Sequence, residues 1–363
     1  MDVQSGGAIS VNGKGYASAQ GPGSGTDLSV GGTYGGRGKD NIKNSYGSLD
    51  NPVDLGSGGY NPAGTGGGAA ILSVSGTLNV SGTISADGIG GICCTAPGYG
   101  SGGSVNISAG TLTGAGDVYA KGGQEYDTWL NAGGGGGRIS FSGVENDNFT
   151  GEINANGSYV GDSHAGTIYL SPEKRSSWTI TSGQTYRLGS DGTNNYTFNN
   201  ITIENGGVLE IDSDPLMNSG SGGTATINAS NVTIDTGGIF RADGLGFENG
   251  EGPGAGNDGM KGGTYGGRGY GNSDATYGSI DNPIHIGSSG TGGAEPGGKG
   301  PNGGGAISLS LSGALTINGT LSANGNAGRN TCASAGSGSG GSINIVAATL
   351  AGTTGSIDRK SVV

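Results

Sequence analysis

One six-residue phrase recurs along this chain and constrains its fold more than any other feature. The phrase is any residue, an apolar residue, a polar residue, usually Ala, a polar residue and Gly. It occurs at Thr83–Gly88, Asp117–Gly122, Glu152–Gly157, Ile239–Gly244 and Thr320–Gly325, with a variant at Ala8–Gly13. Its apolar positions Ile84, Val118 and Ile153 follow one another at intervals of 34 and 35 residues. A fixed period of roughly 20 to 50 residues is typical of solenoid proteins.

The stretch Gly102–Gly123 shows how one repeat is built. Its apolar residues Val105, Ile107, Leu112 and Val118 alternate with polar residues. Because successive side chains of a strand point to opposite faces, this alternation predicts three short strands, each with one buried face. We expect each strand to pair with its counterpart in the next repeat, about 4.8 Å away. The sequence therefore predicts an all-β fold, a parallel β-helix or solenoid.

Composition supports this fold class. Glycine accounts for 88 of the 363 residues, but no Gly-X-Y period is present, which excludes a collagen triple helix. Strong helix formers are scarce, so we expect almost no helix. Asn and Thr occupy matching positions of successive repeats, and we expect them to form side-chain ladders along the stack.

The octapeptide GGTYGGRG occurs twice, at Gly31–Gly38 and Gly262–Gly269. The alignment of the two copies extends without a gap from Met1–Gly59 onto Val232–Gly290, so the chain holds two copies of one module. A dinucleotide-binding glycine loop requires a helix after it, and no helix is predicted here. We therefore interpret the octapeptide as structural, because glycine lets backbone segments approach closely. We expect these long glycine-rich loops to stack on one flank of the solenoid.

The repeats divide the chain into four segments. Residues 1–170 are the first module, 171–230 a connecting strand-rich part of the same stack, and 231–357 the second module. Met1 aligns with Val232, inside a predicted strand, and we expect the natural protein to begin upstream of it and to continue past residue 357. Residues 358–363 match one frame of a common sequencing-library adaptor, and we expect them to be translated adaptor.

Aromatic and basic residues of the stacked loops are the candidates for ligand contact, because exposed aromatic rings stack on sugars. These residues are Tyr34, Arg37, Tyr46, Trp129, Tyr265, Arg268 and Tyr277. In both copies an aspartate follows the arginine of the octapeptide by 13 residues. We therefore expect ion pairs between Arg37 and Asp50 and between Arg268 and Asp281.

Few residues support a catalytic site. Asp212 and Asp214 point to the same side of an extended strand, as the paired carboxylates of a glycosidase would. Pro215 marks a turn at that point, however, and aspartate is common in turns. His164 and His285 are the only histidines, and we expect each to be a solvated edge residue rather than the base of a triad. We expect no enzymatic activity.

Charge and spacing exclude several partners. With 16 Lys and Arg against 28 Asp and Glu, the formal net charge is −12, which argues against nucleic acid. No run of 18 apolar residues is present, so we expect no transmembrane helix. Asp27 and Asp258, at equivalent positions of the two copies, are candidates for a structural Ca²⁺, and no other cofactor is expected. The cysteines, Cys93, Cys94 and Cys332, lack zinc-binding spacing and are interpreted as loop thiols.

The segments GGTYGGRG, GGGAISLSLSGALTINGTLSANG and GGSVNISAG resemble the glycine-rich β-helix repeats of very large secreted or surface proteins. Filamentous-haemagglutinin-like adhesins and autotransporter passengers share this architecture. The resemblance implies an extracellular or cell-surface location and a structural or adhesive role, with loops that contact glycans or matrix components. It carries over no catalytic residue. The alternatives are a polysaccharide lyase or glycoside hydrolase on a β-helix, and a purely structural wall or sheath protein.

Overall fold

The computed structural model describes residues 1–27, 29–60, 64–90, 98–123, 133–158, 163–191, 195–248, 250–256, 261–291, 300–328 and 336–360. Trp129, Asp258 and the three cysteines lie outside the described residues. The chain forms two compact units, Met1–Ser176 with Tyr186–Asp191, and Ser177–Thr185 with Gly192–Val363. The predicted connecting segment, residues 171–230, therefore contributes to both units.

The first unit consists of parallel strands and one short helix. Its elements are β1 (Asp2–Val3), β2 (Ala8–Ser10), β3 (Ala69–Val80), β4 (Thr83–Ser85), β5 (Ser104–Gly114), β6 (Asp117–Tyr119), β7 (Arg138–Phe149), β8 (Glu152–Asn154), β9 (Thr167–Tyr169) and α1 (Pro172–Ser176). One sheet has the order β1-β3-β5-β7-β9 and the other the order β2-β4-β6-β8. All neighbouring strands are parallel, so each strand pairs with its counterpart one repeat later.

The second unit is built in the same way. The elements that follow in the chain are β10 (Ser177–Ile180), β11 (Thr185–Leu188), β12 (Tyr196–Thr197), β13 (Asn200–Ile203), β14 (Val208–Ile211), α2 (Met217–Gly220), β15 (Thr226–Ala229), β16 (Asn231–Ile234), β17 (Ile239–Arg241), β18 (Ala306–Leu311), β19 (Ala314–Ile317), β20 (Thr320–Ser322), β21 (Ser342–Val346), β22 (Thr349–Ala351) and β23 (Ser356–Asp358). Its sheets contain the orders β10-β13-β16-β19-β22, β12-β15-β18-β21 and β14-β17-β20-β23. The helices of the described residues are too short to span a membrane.

Among the described residues, the predicted three strands per repeat occur in the second unit, for example as β15, β16 and β17, and not in the first. In the first unit the first two predicted strands form one long strand, so that Val105 and Leu112 both lie in β5. The pairing register shifts between β3 and β5 and between β5 and β7. Because a register shift of this kind bends a strand, a bulge in the first unit takes the place of the break in the second.

The strand register confirms the predicted spacing of apolar residues. Ile84 pairs with Val118, and Val118 pairs with Ile153. In the second unit Phe240 pairs with Leu321. All five side chains are buried. Rows of like apolar residues therefore form the interior of each unit, and each fully buried side chain of this size contributes about 1.5–3 kcal/mol.

Asn and Asp side chains form hydrogen bonds from one repeat to the next where each six-residue phrase turns. The Asn12 Oδ1 atom accepts a hydrogen bond from the Asp87 N–H at 2.7 Å. Asp87 Oδ1 in turn accepts one from the Lys121 N–H at 2.7 Å. In the second unit Asp243 Oδ1 accepts one from the Asn324 N–H at 2.6 Å. Each side chain thus satisfies a backbone donor of the next repeat and holds equivalent turns in register.

The glycine-rich loops form a layer of extended segments that are not strands. The Gly100 N–H donates to the Ile89 carbonyl and, three residues later, the Gly103 N–H donates to the Ala86 carbonyl. The same pattern joins Gly134 and Gly137 to Gly123 and Ala120, and Gly338 and Gly341 to Asn326 and Ala323. A β-strand returns to the same neighbour every second residue, whereas three residues per turn is the period of polyproline II. The loops therefore pack as polyproline II-like segments that bond to several neighbours.

Close packing of these segments explains the glycine content. A Cβ atom added at Gly31 would overlap the Gly133 carbonyl oxygen, and one at Gly35 would overlap that of Gly137. No rotamer change relieves such an overlap, because both partners are backbone atoms. Only glycine allows segments to approach this closely, and this supports the structural interpretation of the octapeptide.

Candidate functional site

In the first copy of the module, Tyr34 and Tyr46 form a pair of rings with centroids 4.7 Å apart. The Tyr34 hydroxyl and the Ser104 hydroxyl are hydrogen-bonded at 2.7 Å. The Tyr46 hydroxyl donates to the Leu55 carbonyl at 2.5 Å and lies 2.8 Å from the Ser57 hydroxyl. Tyr34 is fully buried, and this burial raises the pKa of its hydroxyl to about 12. Its ring therefore has no face open to a sugar.

The second copy repeats this arrangement with Tyr265 and Tyr277, whose ring centroids are 4.8 Å apart. Tyr265 is hydrogen-bonded to the Ser342 hydroxyl at 2.6 Å, and Tyr277 lies 2.9 Å from the Ser288 hydroxyl. Tyr265 is buried and Tyr277 is half-buried. Burial raises the pKa of both hydroxyls. The tyrosine pairs are thus internal braces of the glycine-rich layer.

Arg37 is also buried, and its bonding differs from the prediction. Its Nη1 atom donates to the carbonyl oxygens of Asn41 and Lys43, at 3.1 and 2.5 Å. The Asp50 carboxylate instead accepts the Ser48 hydroxyl at 2.5 Å. Within the described ranges no ion pair joins Arg37 to Asp50, so that predicted pair is wrong. The arginine stabilises a loop because backbone carbonyls converge on it.

Asn41 is a structural residue that the sequence analysis missed. Its Nδ2 atom donates to the carbonyls of Gly23 and Gly31, at 3.0 and 2.6 Å. Asn272, its counterpart in the second copy, bonds to the corresponding carbonyls of Gly254 and Gly262. The sequence does contain an indication of this role, because the asparagine follows the octapeptide at the same distance in both copies.

Arg138 was missed as well, and it is a deeply buried charge of the first unit. The residue is 1% exposed and lies over the Tyr34 ring, 5.5 Å from its centroid. Its guanidinium donates to the Tyr46 carbonyl at 2.9 Å, to the Thr167 hydroxyl at 3.0 Å and to the Asp191 carboxylate at 2.9 Å. A sequence signal existed, since Arg138 follows five glycines at the start of β7. Its partners are too distant along the chain to be predicted.

A cleft of about 360 Å³ opens at the second copy of the octapeptide. It is lined by Tyr265, Gly266, Gly267, Arg268, Ser339, Gly340, Gly341 and Arg359. Arg268 is exposed, and it makes no ion pair with Asp281 in the part of the chain that the structure describes. The predicted Arg268–Asp281 pair is therefore wrong, and the exposed Arg268 instead lines the cleft.

The first copy shows what the peptide groups at the cleft can bind. There the N–H groups of Gly35 and Gly36 both donate to the Gly136 carbonyl oxygen, at 3.1 and 2.8 Å. Their counterparts are Gly266 and Gly267, which are exposed. Among the described residues these two N–H groups have no acceptor. The cleft therefore presents two adjacent backbone donors beside a guanidinium, an arrangement that favours an oxygen ligand.

The predicted carboxylate pair occupies a buried turn. Asp212 and Asp214 are 3% and 2% exposed. The Asp214 Oδ1 atom accepts a hydrogen bond from the Leu216 N–H at 2.9 Å, and its backbone bonds to Gly223 in both directions. A glycosidase needs both carboxyl groups open to the sugar bond between them. In this structure Asp214 instead holds the turn before α2.

The remaining predicted residues do not converge on one site. His164 is 6% exposed, so the prediction that it is a solvated edge residue is wrong; its carbonyl and N–H bond to Gly136 and Arg37. Asp27 lies in an exposed turn. The described residues contain no group of three metal-binding side chains, and Asp258 and Trp129 lie outside them.

Comparison with known proteins identifies no relative. No protein-family model matches the chain, and neither a curated protein nor a solved structure is similar to it. The comparison that the molecule offers is therefore internal, between its two copies of one module.

Proposed function

We propose that both units are parallel β-helices and that the chain is a structural and adhesive segment of a large extracellular or cell-surface protein. The observation that carries this proposal is the in-register stacking of equivalent residues, such as Ile84, Val118 and Ile153. A stack of this kind gains length with each repeat and needs no larger core. That property suits a stalk that displays loops at a distance from its anchor.

The outer surface of the second unit supports a role in surface contact. Thr179, Thr202, Thr233 and Thr316 pair in register along one sheet. Their side chains alternate with the buried row and therefore face outward. Such a row spaces hydroxyl groups at about 4.8 Å, the distance between neighbouring strands. Hydroxyl groups at this spacing can hydrogen-bond to a sugar polymer that runs along the sheet.

The proposed glycan-binding position is Tyr270, next to the octapeptide of the second unit. Its side chain is 83% exposed, in contrast to the buried Tyr34 and Tyr265. An exposed aromatic ring stacks on the apolar face of a sugar. The exposed Arg268 lies on the same loop, and its planar guanidinium matches a carboxylate. We therefore propose acidic glycans as the ligand class.

Binding of the full chain to an array of acidic and neutral glycans tests this proposal. We expect Tyr270→Ala and Arg268→Ala each to weaken binding by about tenfold, as the loss of a central aromatic or arginine contact typically does. Ile280→Ala is the matched control, because Ile280 is 97% exposed on the same loop. If no glycan binds, a purely structural wall or sheath role replaces adhesion.

Incubation with acidic polysaccharides tests the enzymatic alternative. We expect neither new reducing ends nor unsaturated products. Turnover that disappears in Asp212→Asn would instead establish a polysaccharide-degrading enzyme.

A further inference from the structure

We propose that Lys174 and Asp147 condense into an amide bond that links two successive repeats of the first unit covalently. The Lys174 Nζ atom lies 3.1 Å from the Asp147 Oδ1 atom. Both side chains are largely buried, with exposed fractions of 18% for the lysine and 1% for the aspartate. This inference concerns a modification of the chain itself and does not depend on glycan binding.

Asp147 occupies a position where the two preceding repeats have leucine. In the sheet of the first unit, Leu78 pairs with Leu112, and Leu112 pairs with Asp147. Both leucines are fully buried, so the Asp147 carboxylate continues an apolar row. A carboxylate in such a row carries a large desolvation cost, which an ion pair offsets only in part. Conversion of the carboxylate into an amide removes its charge permanently.

Lys174 belongs to α1, the short helix that follows β9 in the next repeat. The Lys174 N–H donates to the Ser171 hydroxyl at 3.2 Å, which fixes the start of this helix. The Asp147 N–H donates to the Glu173 Oε2 atom at 2.7 Å, which holds the helix against β7. Hydrogen bonds of the backbone on both sides therefore keep the lysine and the aspartate next to each other.

The hydrogen bonds around the pair are of the kind that an amide group makes. The Phe149 N–H donates to the Asp147 Oδ1 atom at 3.1 Å, and the Lys174 Nζ atom donates to the Phe149 carbonyl at 2.8 Å. After condensation the Oδ1 atom is the carbonyl oxygen of the amide, and the Nζ atom carries the amide hydrogen. The amide thus offers the same acceptor and the same donor to Phe149, without the two buried charges.

Two buried aromatic side chains lie beside the pair. Phe149 is 3% exposed, and the centroid of its ring lies 6.0 Å from the Lys174 Nζ atom. Tyr186 is 5% exposed, and its burial together with the nearby Asp147 charge raises the pKa of its hydroxyl to about 12. Burial disfavours charged groups, so it favours the neutral amine and carboxylic acid that react. Exclusion of water also opposes hydrolysis of the product.

The reaction needs no co-reactant. A proton passes from the Lys174 ammonium to the Asp147 carboxylate, which leaves a neutral amine and a carboxylic acid. The Nζ lone pair attacks the Asp147 Cγ atom, the Nζ–Cγ bond forms and the Cγ–Oδ2 bond breaks. The Oδ2 atom leaves as water with the acid hydrogen and one hydrogen from Nζ. Groups held in contact reach effective molarities of about 10⁵–10⁸ M, which compensates for the low reactivity of a carboxylic acid.

Mass spectrometry of the purified, denatured full chain tests the proposal. We expect a mass that is lower by one water molecule than the sequence requires. Proteolytic digestion should yield one cross-linked peptide that contains both Lys174 and Asp147. Lys174→Arg should have the full mass, because a guanidinium keeps its proton and does not attack the carboxyl group. Asp147→Ala should also have the full mass, because it has no carboxyl group to react.

Lys121→Arg is the matched control, because Lys121 and Asp87 form a longer and more exposed pair of the same unit. The Lys121 Nζ atom lies 4.0 Å from the Asp87 Oδ2 atom, and the side chains are 31% and 19% exposed. We expect this variant to lack one water molecule, as the wild-type chain does. The proposal is overturned if the wild-type chain has the full mass. A mass deficit that persists in Lys174→Arg or that hydroxylamine removes also overturns it, because such a deficit comes from an aspartyl succinimide.

Discussion

The two copies of GGTYGGRG have identical sequences and different surroundings. In the first copy Gly36 and Arg37 are buried, and the backbone of His164 and Ala165 lies against Gly36. In the second copy Gly267 and Arg268 are exposed, and no atom lies within 4 Å of the position that a Gly267 Cβ would take. The burial of a repeat in this molecule therefore depends on which segments pack against it.

The tyrosine pair and the asparagine beside it have the same geometry in both copies. The tyrosine rings are 4.7 Å apart in the first copy and 4.8 Å apart in the second. Asn41 and Asn272 bond to equivalent carbonyls. The module thus holds its own shape through local hydrogen bonds, whether or not a further segment covers it. The following predictions test this difference, from the largest expected effect to the smallest.

The largest effect is expected for the arginine that covers the first tyrosine pair. Arg138→Ala removes an ion-pair partner of the Asp191 carboxylate, which is 5% exposed. Breaking a buried pair in this way typically costs about 3–5 kcal/mol. Arg268→Ala should leave stability within about 0.5 kcal/mol, because its side chain is exposed. Urea denaturation of both variants provides the measurement, and equal losses would contradict the comparison.

A glycine substitution compares the two octapeptides directly. Gly36→Ala places a Cβ atom against the carbonyl oxygens of His164 and Ala165, and we expect a loss of about 3 kcal/mol from overpacking. Gly267→Ala meets no atom and should change stability by less than about 1 kcal/mol. Calorimetric melting of the two variants measures the difference. If Gly36→Ala and Gly267→Ala have the same melting temperature, the backbone of His164 and Ala165 does not pack against Gly36 as described.

The buried Arg37 allows a smaller effect to be measured. Arg37→Ala removes hydrogen bonds to two carbonyls and should cost about 2 kcal/mol, because buried acceptors lose a charged donor. Asp50→Ala should cost less than about 0.5 kcal/mol, because its exposed carboxylate bonds to the Ser48 hydroxyl and to no other group among the described residues. The double variant should show additive losses. A coupling energy clearly larger than the experimental error of this double-mutant cycle would instead show that Arg37 and Asp50 interact.

Alkaline pH should weaken the protein through its buried tyrosines. Burial raises the pKa of Tyr34 to about 12, whereas an unfolded tyrosine titrates near about 10. Below the pKa of the unfolded tyrosine, the folded and unfolded states both keep the proton, and the contribution of Tyr34 to stability is fully present. As the pH rises through about 10 to 12 the unfolded state loses its proton first, so stability falls by up to about 1.4 kcal/mol per pH unit. In Tyr34→Phe the urea midpoint should fall less steeply with pH over this range. An unchanged dependence of the midpoint on pH would contradict the burial of the Tyr34 hydroxyl.

Much of the strand pattern could be predicted because it depends on local alternation and a fixed period. Ile84, Val118 and Ile153 had to be equivalent, since the same phrase surrounds each of them. The ladder of Asn12, Asp87 and Lys121 follows from the same equivalence. The glycine-rich layer could be predicted only as close backbone packing. Its three-residue bonding period depends on neighbours that the sequence does not specify.

The sequence by itself determined the repeat, the buried rows and the duplicated module, because these properties require only the order of residues along one chain. Tertiary structure alone decided how the first copy of the octapeptide is covered, and it placed Thr167 and Asp191 around Arg138. The physical reason is that burial and hydrogen-bond satisfaction belong to pairs of segments far apart in the chain. Two identical octapeptides can therefore differ in exposure and in hydrogen bonding.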